Sequence, residues 1–316
     1  MNPVVVVGAG IAGVACAREL AASGLPVRVL DRGRRVGGRM AVRTVDGHAV
    51  DTGASYFTVG EPAFAAVVED WRERGLARMW TDTFHLAGPD GLEGTKAGPV
   101  RWAATAGLRS LVVDLARGLD VVSDHVVERL APGVVDGEPA SAVVLAMPDP
   151  QAARLLDIAD TLTDYTPALV LAAGFDRRSW PQLDAAFVHD DPSITFVADD
   201  GARRGDGAPV LVAHSTADLA RAHLAEPAGA TATMLAALAR VTGVADLADR
   251  TTWTFVHRWT YAQPASTREQ PWQLGDDLVG RCGDGWSTRP RVEAAFESGR
   301  LLARELASRL GAAAHG

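Results

Sequence analysis

Four consecutive valines, Val4 to Val7, run into Gly8-Ala9-Gly10-Ile11-Ala12-Gly13, and a second apolar run, Val27 to Leu30, ends on Asp31. A continuous β-branched run suits a strand buried on both faces of a parallel sheet. Gly8 allows the tight turn out of that strand, Gly10 lets the backbone approach a pyrophosphate, and Gly13 lets the next helix pack closely on the sheet. That helix is expected over residues 11 to 22, burying Ile11, Ala15 and Leu20 and stopping at Ser23-Gly24. Its first turn, from Ile11 and Ala12 onward, offers unpaired N–H groups and the positive end of the dipole to an anion. Asp31, followed by Arg32, stands at the tip of the second strand, where a carboxylate accepts hydrogen bonds from a ribose diol. Together these features predict a βαβ unit that holds the ADP part of a dinucleotide. The glycine triplet alone does not distinguish NAD from FAD.

A length of 316 residues exceeds one average domain and predicts two lobes sharing an interface. With 47% hydrophobic and 22% charged residues, the chain has the balance of a soluble globular protein. The net charge is −8 and no stretch clusters basic residues, which argues against a nucleic acid partner. Lys96 is the only lysine. Cys16 and Cys282 are too few for a disulfide framework and fit a reducing compartment, with Cys16 expected in the core of the first helix. The apolar N-terminus lacks the basic region of a signal peptide, and no run is long enough for a membrane span, so cytoplasmic residence is expected. No metal-ligand spacing, nucleophile motif or paired acid–base set stands out.

Further along, residues 41 to 45 and 48 to 51 read as short strands around the turn Asp46-Gly47. A helix is expected over residues 61 to 75, with Phe64, Val67, Val68 and Trp71 at helical spacing, leaving the nucleotide fold. Residues 76 to 103 suggest irregular strands over a pocket. From Gly107 an amphipathic helix should carry Leu111, Leu115 and Leu119, followed by strands at Val121-Val122 and over residues 126 to 130. Residues 141 to 147 read as a strand, with a helix from Pro148 through Leu156. Residues 161 to 262 alternate β-rich runs with a helix near residues 231 to 241, which predicts a mostly antiparallel sheet with helices. Toward the end, Leu278-Val279 leads into Arg281-Cys282-Gly283-Asp284-Gly285-Trp286, and a long helix follows Pro290.

Gly37-Gly38-Arg39-Met40 and Asp51-Thr52-Gly53-Ala54-Ser55-Tyr56-Phe57, with the fingerprint before them and the Gly283-Asp284-Gly285 turn and final helix after them, resemble the glutathione-reductase-like flavoproteins. The resemblance implies a non-covalent FAD. Gly38, Arg39 and Met40 would meet its pyrophosphate, with Ala54, Ser55, Tyr56 and Phe57 further along, and a backbone contact from Val127 would reach the adenine. Gly283 and Asp284 would meet the ribityl and pyrophosphate region, and the helix start at Arg291-Val292 would point at the flavin pyrimidine ring. A helix dipole there would stabilise negative charge on the reduced ring. The implied architecture is α/β. A Rossmann-type FAD-binding domain with a parallel sheet would be built from residues 1–60, 104–160 and 268–316. A second, α+β substrate domain with a mostly antiparallel sheet would comprise residues 61–103 and 161–267.

Across nearly its full length the chain also resembles the renalase-like flavin oxidoreductases, on Leu145-Ala146-Met147-Pro148, Gln151-Ala152, His257-Arg258-Trp259-x-Tyr261-Ala262-x-Pro264, Val292-Glu293-x-Ala295 and Ser298-Gly299. The stretch from His257 to Pro264 is the discriminating one. Residues 131 to 140 depart from it, being short where relatives often carry a longer hairpin. This resemblance implies oxidation of the 2- and 6-dihydro isomers of NAD(P): hydride passes to flavin N5, NAD(P)+ leaves, and dioxygen takes the electrons as hydrogen peroxide. Losing hydride makes a dihydropyridine aromatic, so the reaction needs a flat pocket at near-attack distance and no general base. His257, Trp259 and Tyr261 would shape that pocket, with Arg258 on the opposite face of the strand. Two alternatives stay open. One is an amine oxidase of related fold, which would place a lysine near flavin N5, where Lys96 comes too early in the chain. The other is a flavin- or NAD-binding sensor without turnover.

Overall fold

The computed structural model describes residues 1–158 and 162–313. The chain begins with β1 (Val4–Val7), α1 (Ile11–Ala22) and β2 (Val27–Leu30), then a hairpin of β3 (Val42–Val45) and β4 (His48–Asp51). Helix α2 (Pro62–Glu73) leads to a long hairpin, β5 (Ala77–Gly88) and β6 (Gly91–Ala104), then α3 (Arg109–Leu115) and β7 (Asp120–Val122). Short strands β8 (Leu130–Ala131), β9 (Val134–Val135) and β10 (Glu138–Pro139) precede β11 (Ala142–Leu145) and α4 (Asp149–Ala152). Next come β12 (Tyr165–Phe175), β13 (Ala185–Val188), β14 (Ile194–Asp199), α5 (Asp200–Arg204), β15 (Val210–Ser215), α6 (Ala217–Ala222) and α7 (Thr231–Thr242). The chain closes with β16 (Thr251–Pro264), β17 (Gln273–Leu274), β18 (Val279–Arg281) and α8 (Val292–Ala313).

Two large sheets result. The first has the order β17-β18-β11-β1-β2-β7 and is parallel apart from β17. Its central strand is the valine run, with at most 7% of any side chain exposed, as burial on both faces requires. Helices α1 and α8 cross that sheet at close range. A Cβ on Gly299 would stand 2.0 Å from the Ala12 carbonyl oxygen, so only glycine lets the two helices approach. The second sheet runs β16-β12-β15-β14-β13-β5-β6, antiparallel except where β13 meets β5. One of its faces is covered by α6 and α7; the other meets the β3–β4 hairpin through Val50, Val170, Ala172, Val210 and Val212.

Several elements differ from the reading of the sequence. Helix α2 does not leave the nucleotide fold. Phe64, Val68 and Trp71 lie in the same core as α1 and α8, with Phe64 5.1 Å from Phe296 and Trp71 Nε1 donating to Asp114 of α3. Leu119 falls beyond α3, which stops at Leu115. Residues 126 to 129 form no strand, because their backbone donors are used elsewhere: Asp136 accepts from Glu128 and Arg129 N–H at 2.9 and 2.8 Å. Helix α4 ends at Ala152, short of Leu156. In the last parallel strand the pairing residues are Val279–Arg281, since Leu278 turns with φ +59°. The boundary expected at residues 160 and 161 lies outside the described residues.

Candidate functional site

The nucleotide cradle starts where β1 ends. Gly8 takes φ +111°, a left-handed turn, and a Cβ on Gly13 would stand 1.9 Å from its carbonyl oxygen, which pins α1 against the turn. Gly10 caps α1 and has no side chain to satisfy the helix's first N–H groups. Gly37 N–H donates to Ala9 O at 2.8 Å and brings the double glycine alongside. A Cβ on Gly38 would sit 3.1 Å from Gly10 Cα, so two bare stretches of backbone face each other across the helix start. Asp31 accepts from Ala9 N–H at 2.5 Å and from Gly33 N–H at 2.6 Å, which holds its carboxylate at the strand tip; Arg32 is exposed beside it. Val127, outside any strand, packs with Val5, Val7, Leu30 and Leu145 on the flank of the same sheet.

The two ends of the chain meet at Arg39 and Asp284. Arg39 Nη1 donates to Asp284 Oδ2 at 2.8 Å and to Ala262 O at 3.0 Å, Nη2 donates to Oδ1, and the guanidinium lies 5.7 Å from the Tyr165 ring. Burial disfavours the Arg39 charge, but Asp284 outweighs it and raises the pKa. The side chain still keeps 29% of its surface exposed. Behind Asp284, Gly283 N–H donates to Ser298 Oγ at 2.9 Å, tying the turn to α8. Trp286 lies under Arg268 and Arg281, at 4.1 and 4.9 Å. At the start of α8, Glu293 accepts from Gly60 and Glu61 N–H at 2.6 and 2.7 Å and pairs with Arg291 at 2.6 Å. Arg291 is thus engaged by a carboxylate, with half-buried Val292 next to it.

The segment after β4 crosses the face of the second sheet. Ala54 N–H donates to Arg39 O at 2.9 Å. Met40 and Phe57 are core residues, 3% and 2% exposed, packed in the same core as α1 and α8. Asp51 is fully buried; it accepts from Leu108 N–H at 2.7 Å and from Arg203 Nη1 at 2.7 Å. Burial raises the Asp51 pKa, and Arg203 offsets part of the rise. Arg203 also donates to Ser55 O at 2.9 Å and to Asp200.

On β16, Phe255, His257 and Trp259 share one face, with His257 and Trp259 rings 4.6 Å apart, while Arg258 points away and donates to Leu224 O at 2.5 Å. Trp259 Nε1 donates to Thr52 O at 2.6 Å and fastens the crossing segment. Burial lowers the His257 pKa to about 4, helped by Arg43, Arg109 and Arg258. Tyr261 stands apart from this pair, edge-on to Tyr165 at 6.5 Å and next to the Arg39 clamp.

Sequence reasoning missed His214. Cross-strand register places His257, Val170, His214 and Phe196 in one row across β16, β12, β15 and β14. His214 Nε2 lies 3.2 Å from Ser55 Oγ, and burial, with Arg203 behind it, lowers its pKa to about 4. The available signal was a histidine directly following the apolar run Val210 to Ala213. Beside it Tyr56 packs against Phe84 at 5.3 Å, Phe196 at 6.1 Å and Trp80 at 6.4 Å.

Comparison with known proteins agrees with this fold. The NAD(P)-binding Rossmann-like domain family matches residues 6 to 71, a span that runs through α2. Solved structures of cyclohexylamine oxidase from Brevibacterium oxydans IH-35A and of a double mutant of putrescine oxidase superimpose with TM-scores of 0.75 and 0.74 at 15% and 16% identity. The first covers 98% of this chain and 99% of that one, the second 97% and 99%. The fold is that of the amine-oxidase-type flavoproteins. In sequence, putrescine oxidase from Kocuria rosea is 37% identical over 95 residues, 30% of this chain and 20% of that protein's length. The matched stretch therefore spans about a fifth of that relative. The cradle fits the FAD of an amine-oxidase-type fold: backbone N–H groups and bare glycines for a pyrophosphate, Asp31 for a ribose, and the Arg39–Asp284 pair further along. Among the described residues no helix is long and apolar enough to cross a membrane, and no cluster of His, Cys, Asp or Glu could hold a metal ion.

Proposed function

We propose that the chain is an FAD-dependent oxidoreductase whose donor is a 2- or 6-dihydro isomer of NAD(P), with dioxygen as acceptor and hydrogen peroxide as product. FAD, when bound, supplies the hydride-accepting chemistry. The chain's residues position it, Asp31 at the ribose, Gly10 and Gly38 at the pyrophosphate, and Arg39 with Asp284 beyond. The reading rests on one observation: Phe255, His257 and Trp259 share one face of β16, with the His257 and Trp259 rings 4.6 Å apart, beside the segment that Trp259 Nε1 fastens at Thr52 O. A flat, aromatic surface suits a planar dihydropyridine ring. That ring becomes aromatic on losing hydride and needs positioning but no general base. Trp259 and Tyr261 serve this reading by fastening the crossing segment and by walling the clamp. The two-domain division, with α2 moved to the FAD-binding side, and cytoplasmic residence belong to the same proposal, the former supported by which strands each sheet contains.

A second reading, an amine oxidase, is favoured by the names of the similar proteins, putrescine oxidase and cyclohexylamine oxidase. Against it, Lys96 is exposed on β6, and Tyr165 and Tyr261 meet at 83° and leave no slot between parallel rings. Anaerobic mixing of the FAD-loaded protein with β-NADH, its 2- and 6-dihydro isomers and primary amines separates the readings. Rapid bleaching of the flavin by an isomer supports the first and bleaching by amines the second. If no donor bleaches it, a binding protein without turnover remains and both oxidase readings fall.

A further inference from the structure

Four arginines are buried to a similar depth, Arg101, Arg203, Arg204 and Arg281, with at most 6% of their surface exposed. Three of them pair with aspartates: Arg203 with Asp51 and Asp200, Arg204 with Asp200, and Arg281 with Asp149. Arg101, on β6, is the exception. Its guanidinium lies 3.9 Å from the Phe84 ring centroid and Nη1 donates to Asp82 O at 2.5 Å, but among the described residues no carboxylate pairs with it. A buried charge without a counter-charge is costly, and buried charges are ordinarily paired.

Its surroundings add donors. The Tyr56 hydroxyl lies against the guanidinium, which offsets part of the rise that burial imposes on the phenol. Trp80, with its ring 5.2 Å from Phe84, has its Nε1 buried without a hydrogen-bond partner among the described residues. A buried N–H left unpaired calls for an acceptor. Arginine, indole and phenol can all donate, and a phosphate accepts on every oxygen. The cluster reaches solvent at Phe187, which is 37% exposed and 5.3 Å from Phe84. Tyr56 belongs to the segment that crosses from the Arg39 clamp, so the cluster adjoins the candidate substrate region.

We propose that Arg101, with Trp80 Nε1 and the Tyr56 hydroxyl, forms an anion subsite that takes a phosphate group of the substrate. This deepens the dihydronicotinamide reading and rests on it for the identity of the ligand, since that donor carries phosphates and a simple amine carries none. The existence of the subsite can be tested separately.

The FAD-loaded protein is titrated with inorganic pyrophosphate by calorimetry, as wild type, Arg101→Gln and Arg101→Lys. Michaelis constants are compared for dihydro-NAD(P) and for the dihydronicotinamide riboside that lacks phosphate. The expected result is that Arg101→Gln weakens pyrophosphate binding by about tenfold or more, as loss of a charge-assisted contact does, with Arg101→Lys in between. KM for the phosphate-bearing donor should rise by a similar factor with kcat kept, and KM for the riboside should stay put. Should Arg101→Gln fail to hold FAD, Trp80→Phe is titrated instead and should weaken pyrophosphate binding too. Equal pyrophosphate affinity in wild type and variant, or none in wild type, overturns the subsite. Loss of pyrophosphate binding in Arg101→Gln, with no dihydronicotinamide able to bleach the flavin, leaves the subsite standing and removes the donor.

Discussion

Arg39 and Asp284 hold each other with two parallel hydrogen bonds, and removing either partner strands a partly buried charge. Asp284→Asn should therefore weaken FAD retention by about tenfold, read as the ratio of flavin to protein absorbance after gel filtration. Unchanged flavin content would sink that role. His214 makes a pH prediction. Its folded pKa, about 4, lies below the ordinary value of 6.5, so the unfolded chain takes up the proton first as pH falls. The stability concerned is intact above pH 6.5 and eroded between 6.5 and 4, by up to about 3 kcal/mol. His257 adds in the same direction but less, being more exposed. Urea midpoints at pH 7.5, 5.5 and 4.5 should fall more steeply for wild type than for His214→Gln; parallel curves would refute the assignment. Arg39 and Asp284 were legible in the sequence because each sits in a glycine-framed motif. His214 was not, because a single histidine in an apolar strand reads as core, and its proximity to Ser55 depends on a register that no local pattern carries.

Among the elements, those with strong periodicity or firm punctuation were the readable ones: β1 and α1 with their glycines, the β3–β4 hairpin around Asp46-Gly47, and α7 and α8. The misreadings share a cause. Val126 to Leu130 has strand composition, but Asp136 captures its N–H groups, and α2 has an amphipathic face that fits either lobe until Phe296 and Asp114 are seen beneath it. Propensity cannot decide between partners distant in the chain. The α1–α8 crossing gives the prediction at this scale. Gly299→Ala puts a methyl group against the Ala12 carbonyl and should cost about 2 kcal/mol of stability. Thermal denaturation of the FAD-free protein reads that directly, and an unshifted midpoint would mean that the helices can part without penalty.

For the whole molecule, the buried Asp51–Arg203–Asp200 cluster joins the hairpin to the second sheet, while Asp51 also holds the start of α3. Arg203→Met leaves Asp51 without its cation and Asp200 with Arg204 alone, and should destabilise the protein by about 3 to 5 kcal/mol. Loss of one lobe alone, seen as two separate unfolding transitions, would show that this cluster does not couple them. The order in which the first sheet is assembled has a consequence for synthesis. Its middle strand, β1, is made well before its neighbour β11, and the arginine at position 39 waits for an aspartate 245 residues further on. Until β11 is made, β1 can pair with β2 on one edge while its other edge lacks a neighbouring strand, a natural target for a chaperone. A message truncated before α8 would yield a product that stays colourless and is cleared by proteases.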